Sequence, residues 1–291
     1  MKQLGSVNDF LGIHIDRLPD QYFLSQELYV ASILQQAQML ECKALANPTV
    51  TKLPPELLPD PILSDPSMYR RITGSLQYLT LTRPDIAFSI NQLSQHMHDP
   101  NPEHVYLLKR LLRYIKGTID YGIPITKSNL DLSSFSDADW AGDPHTRKST
   151  SGFCSFLGNT LISWTVKKQH TVARSSTESE YRSLAALASD VIWLRRLLSE
   201  FGLPPTQPTD MHCDNTSAIA LANNPVFHVR TKHIEIDQKF IRDHIQQQNV
   251  RLLPISTIDQ IADIFTKPLS TPRFHQLRLK LTVMQRPINL R

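Results

Sequence analysis

The chain has 291 residues, 31 of them basic and 27 acidic, and 41% hydrophobic, which excludes an intrinsically disordered chain and gives length enough for two domains or one large one. Its three cysteines, Cys42, Cys154 and Cys213, lie far apart with no CxxC pair, which excludes a disulfide scaffold and a zinc ribbon and sets a reducing, intracellular expectation. No stretch approaches the ~18 apolar residues of a membrane span, and Met1 to Gly5 lacks the apolar core of a signal peptide, so no membrane partner is expected.

Phe10, Leu11, Ile13 and Ile15 predict a strand, Leu18-Pro19-Asp20 a turn, and Tyr22 to Ser25 an antiparallel return. From Gln26 onward, Leu28, Val30, Ala31, Ile33, Leu34, Ala37 and Leu40 recur at helical spacing. Six prolines between 47 and 66 predict an irregular, extended connector. Tyr69, Ile72, Leu76 and Leu79 then predict a helix. Thr82-Arg83-Pro84-Asp85 breaks it and starts a second, with proline near its first turn. A third runs from Glu103 to Ile115, and Lys116-Gly117 predicts a basic-then-glycine stop.

Beyond Gly117 the pattern turns to strands. Residues 131–138 alternate, with Ser133, Phe135 and Asp137 on one side. Residues 152–157 and 160–166 flank Gly158-Asn159 as a hairpin. A helix over 176–201, a strand over 209–213, helices over 216–222 and 231–247, a strand over 250–256 and a last short helix complete an α/β layered fold. The positive charge collects in residues 273–291, with five basic residues and no acid. Further basic runs are Lys109 to Lys116, Arg147-Lys148, Lys167-Lys168 and Arg174. Such runs either neutralise phosphates or form solvated faces, and charge alone does not separate the two.

The second half places acids at the ends of its elements. Asp137 closes the first strand, followed by Ala138-Asp139-Trp140, and Asp214 follows the fourth. Glu178 and Glu180 open the long helix, and Asp259 and Asp263 lie in the last one. Gathered acids repel unless a cation holds them, and oxygen ligands favour a hard ion such as Mg²⁺. Glu180 leads the apolar stripe Tyr181, Leu184, Leu187, Val191, Leu194 and Leu198, whereas Glu178 lies about 200° away and suits the capping box Ser175-x-x-Glu178. Thr177-x-x-Glu180 has the same form, so periodicity leaves a cap and a core-facing acid as equal readings of Glu180. Taken singly, Asp214 reads as a helix cap and Asp263 as a solvated acid, and periodicity does not choose between Asp259 and Asp263.

Taken together, the motifs resemble the C-terminal part of the Pol polyprotein of copia-type LTR retrotransposons, over roughly residues 3–270. In the first half they are Phe10-Leu11-Gly12-Ile13, Tyr69-Arg70 with Gly74-Ser75-Leu76, Thr82-Arg83-Pro84-Asp85-Ile86-Ala87, and Arg113-Tyr114 with Lys116-Gly117-Thr118. These look like the segment that follows a reverse transcriptase palm. In the second half they are Ser136-Asp137-Ala138-Asp139-Trp140, Ser176-Thr177-Glu178-Ser179-Glu180-Tyr181, Cys213-Asp214-Asn215 and Ala262-Asp263-Ile264-Phe265-Thr266-Lys267, which look like that family's ribonuclease H domain.

The resemblance implies an α/β fold with an RNase H-like mixed sheet and flanking helices, preceded by a mostly helical thumb- or connection-like segment. It divides the chain into a palm/thumb-like hairpin and helix (1–46), the proline-rich connector (47–66), a helical segment (67–120), the RNase H-like domain (130–270) and a basic tail (271–291). The implied activity is two-metal hydrolysis of the RNA strand of RNA–DNA hybrids. By motif position, Asp137, Glu180, Asp214 and Asp263 are the four acids binding two Mg²⁺, with Mn²⁺ as a substitute, and Asp137 bridges them. Arg147, Lys148, Lys167, Lys168 and Arg174 become candidate contacts to the nucleic-acid backbone. The rest of a Pol polyprotein is the implied protein partner, in the cytoplasm or nucleus.

Three departures qualify the match. No paired-aspartate polymerase motif precedes Gly5, so polymerase activity is not expected. Lys239 stands where the family usually has histidine. No histidine shortly precedes the last acid, as is usual in this family, and His233 and His244 read as structural. The competing expectation is an inactive remnant that only binds nucleic acid, while no feature favours a host scaffolding factor.

Overall fold

The computed structural model describes residues 7–57, 60–224 and 232–287, apart from the side chains of 232–234. Gly5, Arg291 and the His233 side chain therefore lie outside what is described. The chain forms two compact units, Met1–Lys127 with Pro268–Arg291, and Ser128–Lys267.

The first unit opens with strands β1 (Asp9–Phe10), β2 (Ile13–Arg17) and β3 (Gln21–Ser25). The single strand expected from Phe10 to Ile15 is instead a hairpin. Leu11 and Gly12 both take positive φ, 49° and 72°, and this two-residue turn pairs Phe10 with Ile13. Helix α1 (Glu27–Gln36) stops short of Leu40, and Gln38 beyond it takes φ 54°. No helix or strand occurs among the described residues of the proline-rich stretch before α2 (Pro66–Leu79). The Asp65 side chain accepts the amides of Ser67 and Met68, and Pro66 fills the first helical position, where its missing N–H costs nothing. A short 3-10 turn (Pro84–Ile86) leads into α3 (Ala87–Ser94). Helix α4 (Pro102–Lys116) begins with a reciprocal cap between Asn101 and His104.

Gly117 ends α4, but not by the left-handed geometry the sequence suggests. Its φ is −76°, open to any residue. Glycine instead relieves crowding there, because a Cβ would lie 3.0 Å from Ala44 Cβ. Strand β4 (Tyr121–Thr126), which no periodicity announces, then pairs with β3.

The core of this unit holds a closed polar network. Arg83 is fully buried and donates to both Asp85 oxygens at 3.0 and 2.8 Å, and to the Thr118 carbonyl at 2.8 Å. Tyr114 donates to Asp85 Oδ2 at 2.6 Å. The Arg83 guanidinium also lies over the rings of Tyr114 and Tyr121, at 5.4 and 5.5 Å. Thr82-Arg83-Pro84-Asp85 thus carries a buried ion pair, and the second motif, Tyr114 to Thr118, supplies the neutral groups that complete its hydrogen bonding.

The second unit is a five-stranded mixed sheet of β5 (Leu132–Ala138), β6 (Thr150–Leu157), β7 (Thr160–Lys168), β8 (Thr209–Cys213) and β9 (Val250–Pro254). Its order is β7-β6-β5-β8-β9. The first three strands run antiparallel, and β8 and β9 join parallel to β5. Parallel neighbours need crossovers. Helix α5 (Ser176–Glu200) supplies the first, and α6 (Thr216–Asn223) with α7 (Lys232–Gln246) the second. Tyr181, Leu184, Leu187, Ala188 and Val191 of α5 pack with Phe153, Met211 and Leu252 of the sheet as the core. A 3-10 turn (Ile261–Phe265) lies against β5 and β6.

The chain then returns to the first unit. The residues read from sequence as a basic tail form α8 (Thr271–Lys280) and β10 (Met284–Gln285), and β10 pairs with β4 as the last strand of the sheet β1-β2-β3-β4-β10. Arg278 is buried with its guanidinium 4.8 Å from the Tyr121 ring centre, and Arg286 pairs with Asp16. Packing and ion pairing thus occupy part of the charge in this segment.

Candidate active site

Pleat, helix phase and one missing side chain bring the acids together. Strand alternation places Asp137 opposite Gly152 on the same face of the sheet. A Cβ on Gly152 would lie 2.5 Å from Phe265 Cβ and 2.8 Å from Thr266 Cγ2. Glycine therefore lets the 3-10 turn descend onto the strand, and the turn carries Asp263 to Asp137. On the other face, Ser183 of α5 donates to the Asp137 carbonyl at 2.9 Å and pins the helix to the strand end. One turn earlier, Glu180 is buried and is bonded by the Ala138 amide. Asp214 follows β8, half-buried, where Thr257 donates to its Oδ2 at 3.1 Å.

Helix α5 resolves the two readings of its acids. Its cap is Ser175, which accepts the Glu178 amide at 3.2 Å. Glu178 turns back to the Arg174 amide at 2.9 Å and pairs with Arg182 at 2.5 Å. Thr177 caps nothing here, and Glu180 faces the strand ends. The Asp259 carboxylate accepts from the Ser256 hydroxyl at 2.8 Å, while the buried Asp263 is the acid that meets Asp137.

The cluster is short of positive charge. Burial, then repulsion from Asp137 and Asp214, pushes the Glu180 carboxyl up to about 9. Burial also raises Asp137; Lys267 and the Thr266 hydroxyl oppose the rise, while Asp263 and Asp214 add to it. Lys267 Nζ sits 3.3 Å from Asp137 Oδ2 and 2.8 Å from Asp263 Oδ1. Burial alone would lower its pKa, but the two carboxylates hold it above the ordinary value. An ammonium between two buried carboxylates stands where a cation is needed, so the donor set fits a hard divalent ion. Cys213, Glu180 and Asp214 also converge, with ligand atoms within 4.8 Å of one another. The Cys213 thiol lies 3.9 Å from Glu180 Oε2, and burial and then Glu180 raise its pKa, which disfavours the thiolate.

Several participants escape a reading of acids alone. Asp139 is a fifth carboxyl beside the cluster, pushed up to about 6 by burial and by Asp137 against a bond from the Thr150 amide. Thr266 and Lys267 sit inside a quoted motif without an assigned role. The i,i+4 spacing of Lys267 from Asp263 is the signal that finds it. Among the candidate backbone contacts, Arg147, Lys167 and Arg174 are exposed and Lys148 is half-exposed. The Lys168 ammonium is paired with Asp143, which compensates its charge. Lys239 is exposed on α7. His244 packs edge-on against Phe240 and meets the Asn249 amide at 3.0 Å, a structural setting. Among the described residues no helix is long and apolar enough to cross a membrane.

Comparison with known proteins adds relatives to this geometry. No protein-family profile matches the chain. It is 46% identical over 279 residues to the retrovirus-related Pol polyprotein from transposon RE1 of Arabidopsis thaliana, covering 96% of this chain and 19% of that one. It thus spans about a fifth of that relative's length. It is 51% identical over 194 residues to an uncharacterized mitochondrial protein of the same plant, covering 66% of this chain and 80% of the relative. Among solved structures, the RNase H1 isolated from compost aligns with 47% of this chain and 93% of its own, at 12% identity and a TM-score of 0.38. The second unit itself is a five-stranded mixed sheet with flanking helices.

Proposed function

The chain belongs to the family of retrovirus-related Pol polyproteins from copia-type transposons, and from that premise we propose that its second unit is a metal-dependent ribonuclease H cutting the RNA strand of RNA–DNA hybrids. The convergence of Asp137, Glu180, Asp214 and Asp263 from four separate elements, short of balancing positive charge, carries the reading.

The four acids would hold two Mg²⁺, with Mn²⁺ as a substitute; when bound, the ions activate a water and stabilise the leaving oxygen of a phosphodiester. Asp137 would be the central ligand of this set, because its charge is felt by Glu180 and it shares Lys267 with Asp263. Ser183 and Thr266 orient it from opposite faces of the sheet. Glu180 is held toward the strand ends by the Ala138 amide, and Asp214 by Thr257. Arg147, Lys148, Lys167 and Arg174 supply positive charge along the phosphate backbone, with Lys168 the weaker contributor because Asp143 already pairs with it. Discrimination for RNA then falls to 2′-hydroxyl and shape contacts. The first unit is the thumb- or connection-like segment, and its partner is the rest of a Pol polyprotein. The setting is the cell interior.

The test is cleavage of a labelled hybrid by the full chain. RNA-strand cutting is expected with Mg²⁺ or Mn²⁺ and not in EDTA. Asp137→Asn should slow it about a thousandfold, roughly 4 kcal/mol of lost transition-state stabilisation. A hybrid left intact with either metal would sink the nuclease reading. Retained hybrid binding in that case would favour an inactive binding module.

A further inference from the structure

The Lys267 side chain is 38% exposed, whereas those of Asp137 and Asp263 are 3% and 6% exposed. The ammonium therefore closes the acid cluster from its solvent side. It engages Asp137 Oδ2 and Asp263 Oδ1, two of the oxygens a divalent ion would need. Both cannot be held at full strength by an ammonium and a metal together. The lysine stem is flexible and its head is a compact point charge, so it can withdraw into water when a stronger cation arrives. Its attachment four residues after Asp263 keeps it within reach when the cation leaves.

We propose that Lys267 is a tethered counter-ion: a positioning residue that holds Asp137 and Asp263 together before a divalent ion binds and that competes with the ion for them. The proposal rests on the reading of the cluster as a divalent-cation site and adds to it a built-in brake on metal affinity. Without Lys267, two nearly buried carboxylates would face each other uncompensated, and that repulsion would splay the 3-10 turn away from β5. With it, the acids stay gathered, and each loading event must first displace a positive charge.

The experiment is calorimetric titration of Mn²⁺ into the full chain without nucleic acid, paired with thermal unfolding in EDTA. Lys267→Gln removes the charge and Lys267→Arg keeps it. Lys267→Gln should bind Mn²⁺ about tenfold tighter than the wild type. Lys267→Arg should bind no tighter than the wild type. In EDTA, Lys267→Gln should melt below the wild type and should gain more than it from added Mn²⁺. Equal Mn²⁺ affinity in wild type and Lys267→Gln overturns the counter-ion while leaving the cation site standing. Tightening by Lys267→Arg as large as by Lys267→Gln overturns it too, since charge would then be irrelevant. Should Lys267→Gln be unfolded in EDTA, recovery of its circular dichroism on adding Mn²⁺ supports the proposal, and no recovery at saturating Mn²⁺ refutes it. If neither protein binds Mn²⁺, the counter-ion and the nuclease reading fall together.

Discussion

Each unit buries a charged cluster, and the two clusters are balanced differently. Around Arg83, one guanidinium meets one carboxylate, and a phenol, a hydroxyl and a carbonyl complete the bonding. Around Asp137, carboxyls from four elements meet one ammonium, and Glu180 is driven far from its ordinary range. A balanced network specifies a fold, because every member has a partner inside the protein. An unbalanced one is held at a cost that makes sense where an external cation completes it.

The largest test of this contrast is Arg83→Met. It leaves Asp85 buried without its cation and should cost about 3–5 kcal/mol in urea unfolding, with no rescue by Mg²⁺. The second cluster should respond with the opposite sign. Because the folded-state pKa of Glu180 lies above its ordinary 4.5, the folded chain binds that proton more tightly than the unfolded one. In EDTA, stability should therefore fall as pH rises from about 4.5 through about 9. Glu180→Gln should flatten that slope and stabilise the metal-free protein at pH 9 by about 1–4 kcal/mol, read by thermal unfolding. Gly152→Ala comes next. Its added methyl meets the 3-10 turn and should cost about 1–3 kcal/mol in urea unfolding while weakening Mn²⁺ binding, because Asp263 is pushed from Asp137. Ser175→Ala sets the ordinary scale: it removes one helix cap, should cost about 1 kcal/mol, and should leave the pH slope unchanged.

Much of the second unit was legible because its signals are local. Alternation marked β5, a turn pair marked the β6–β7 hairpin, and the phase of α5 set Glu180 apart from Glu178. What periodicity could not supply was convergence, since Asp214 and Asp263 taken singly read as a cap and a surface acid. Recognition of the motifs as a set supplied it, and Gly152 is the residue whose structural reason appears only in three dimensions. The first unit was less legible for the same physical reason in reverse. Strand β4 contains Pro124, which argues against a strand, yet β10 pairs only with Tyr121 and Gly122 and leaves the proline position on an open edge. Its neighbour β10 comes from the far end of the chain, and Arg83 read as part of a helix start because its partners Tyr114 and Thr118 lie 31 and 35 residues on.

The return of α8 and β10 to the first sheet has a consequence for biogenesis. The second unit is one unbroken stretch, Ser128–Lys267, so it can finish folding as soon as it leaves the ribosome. The first unit must wait, with β4 lacking one neighbour, until β10 has been translated. Completion order therefore reverses chain order, and a nascent chain that has emerged from the ribosome only as far as Lys267 should carry a finished second unit and an unfinished first.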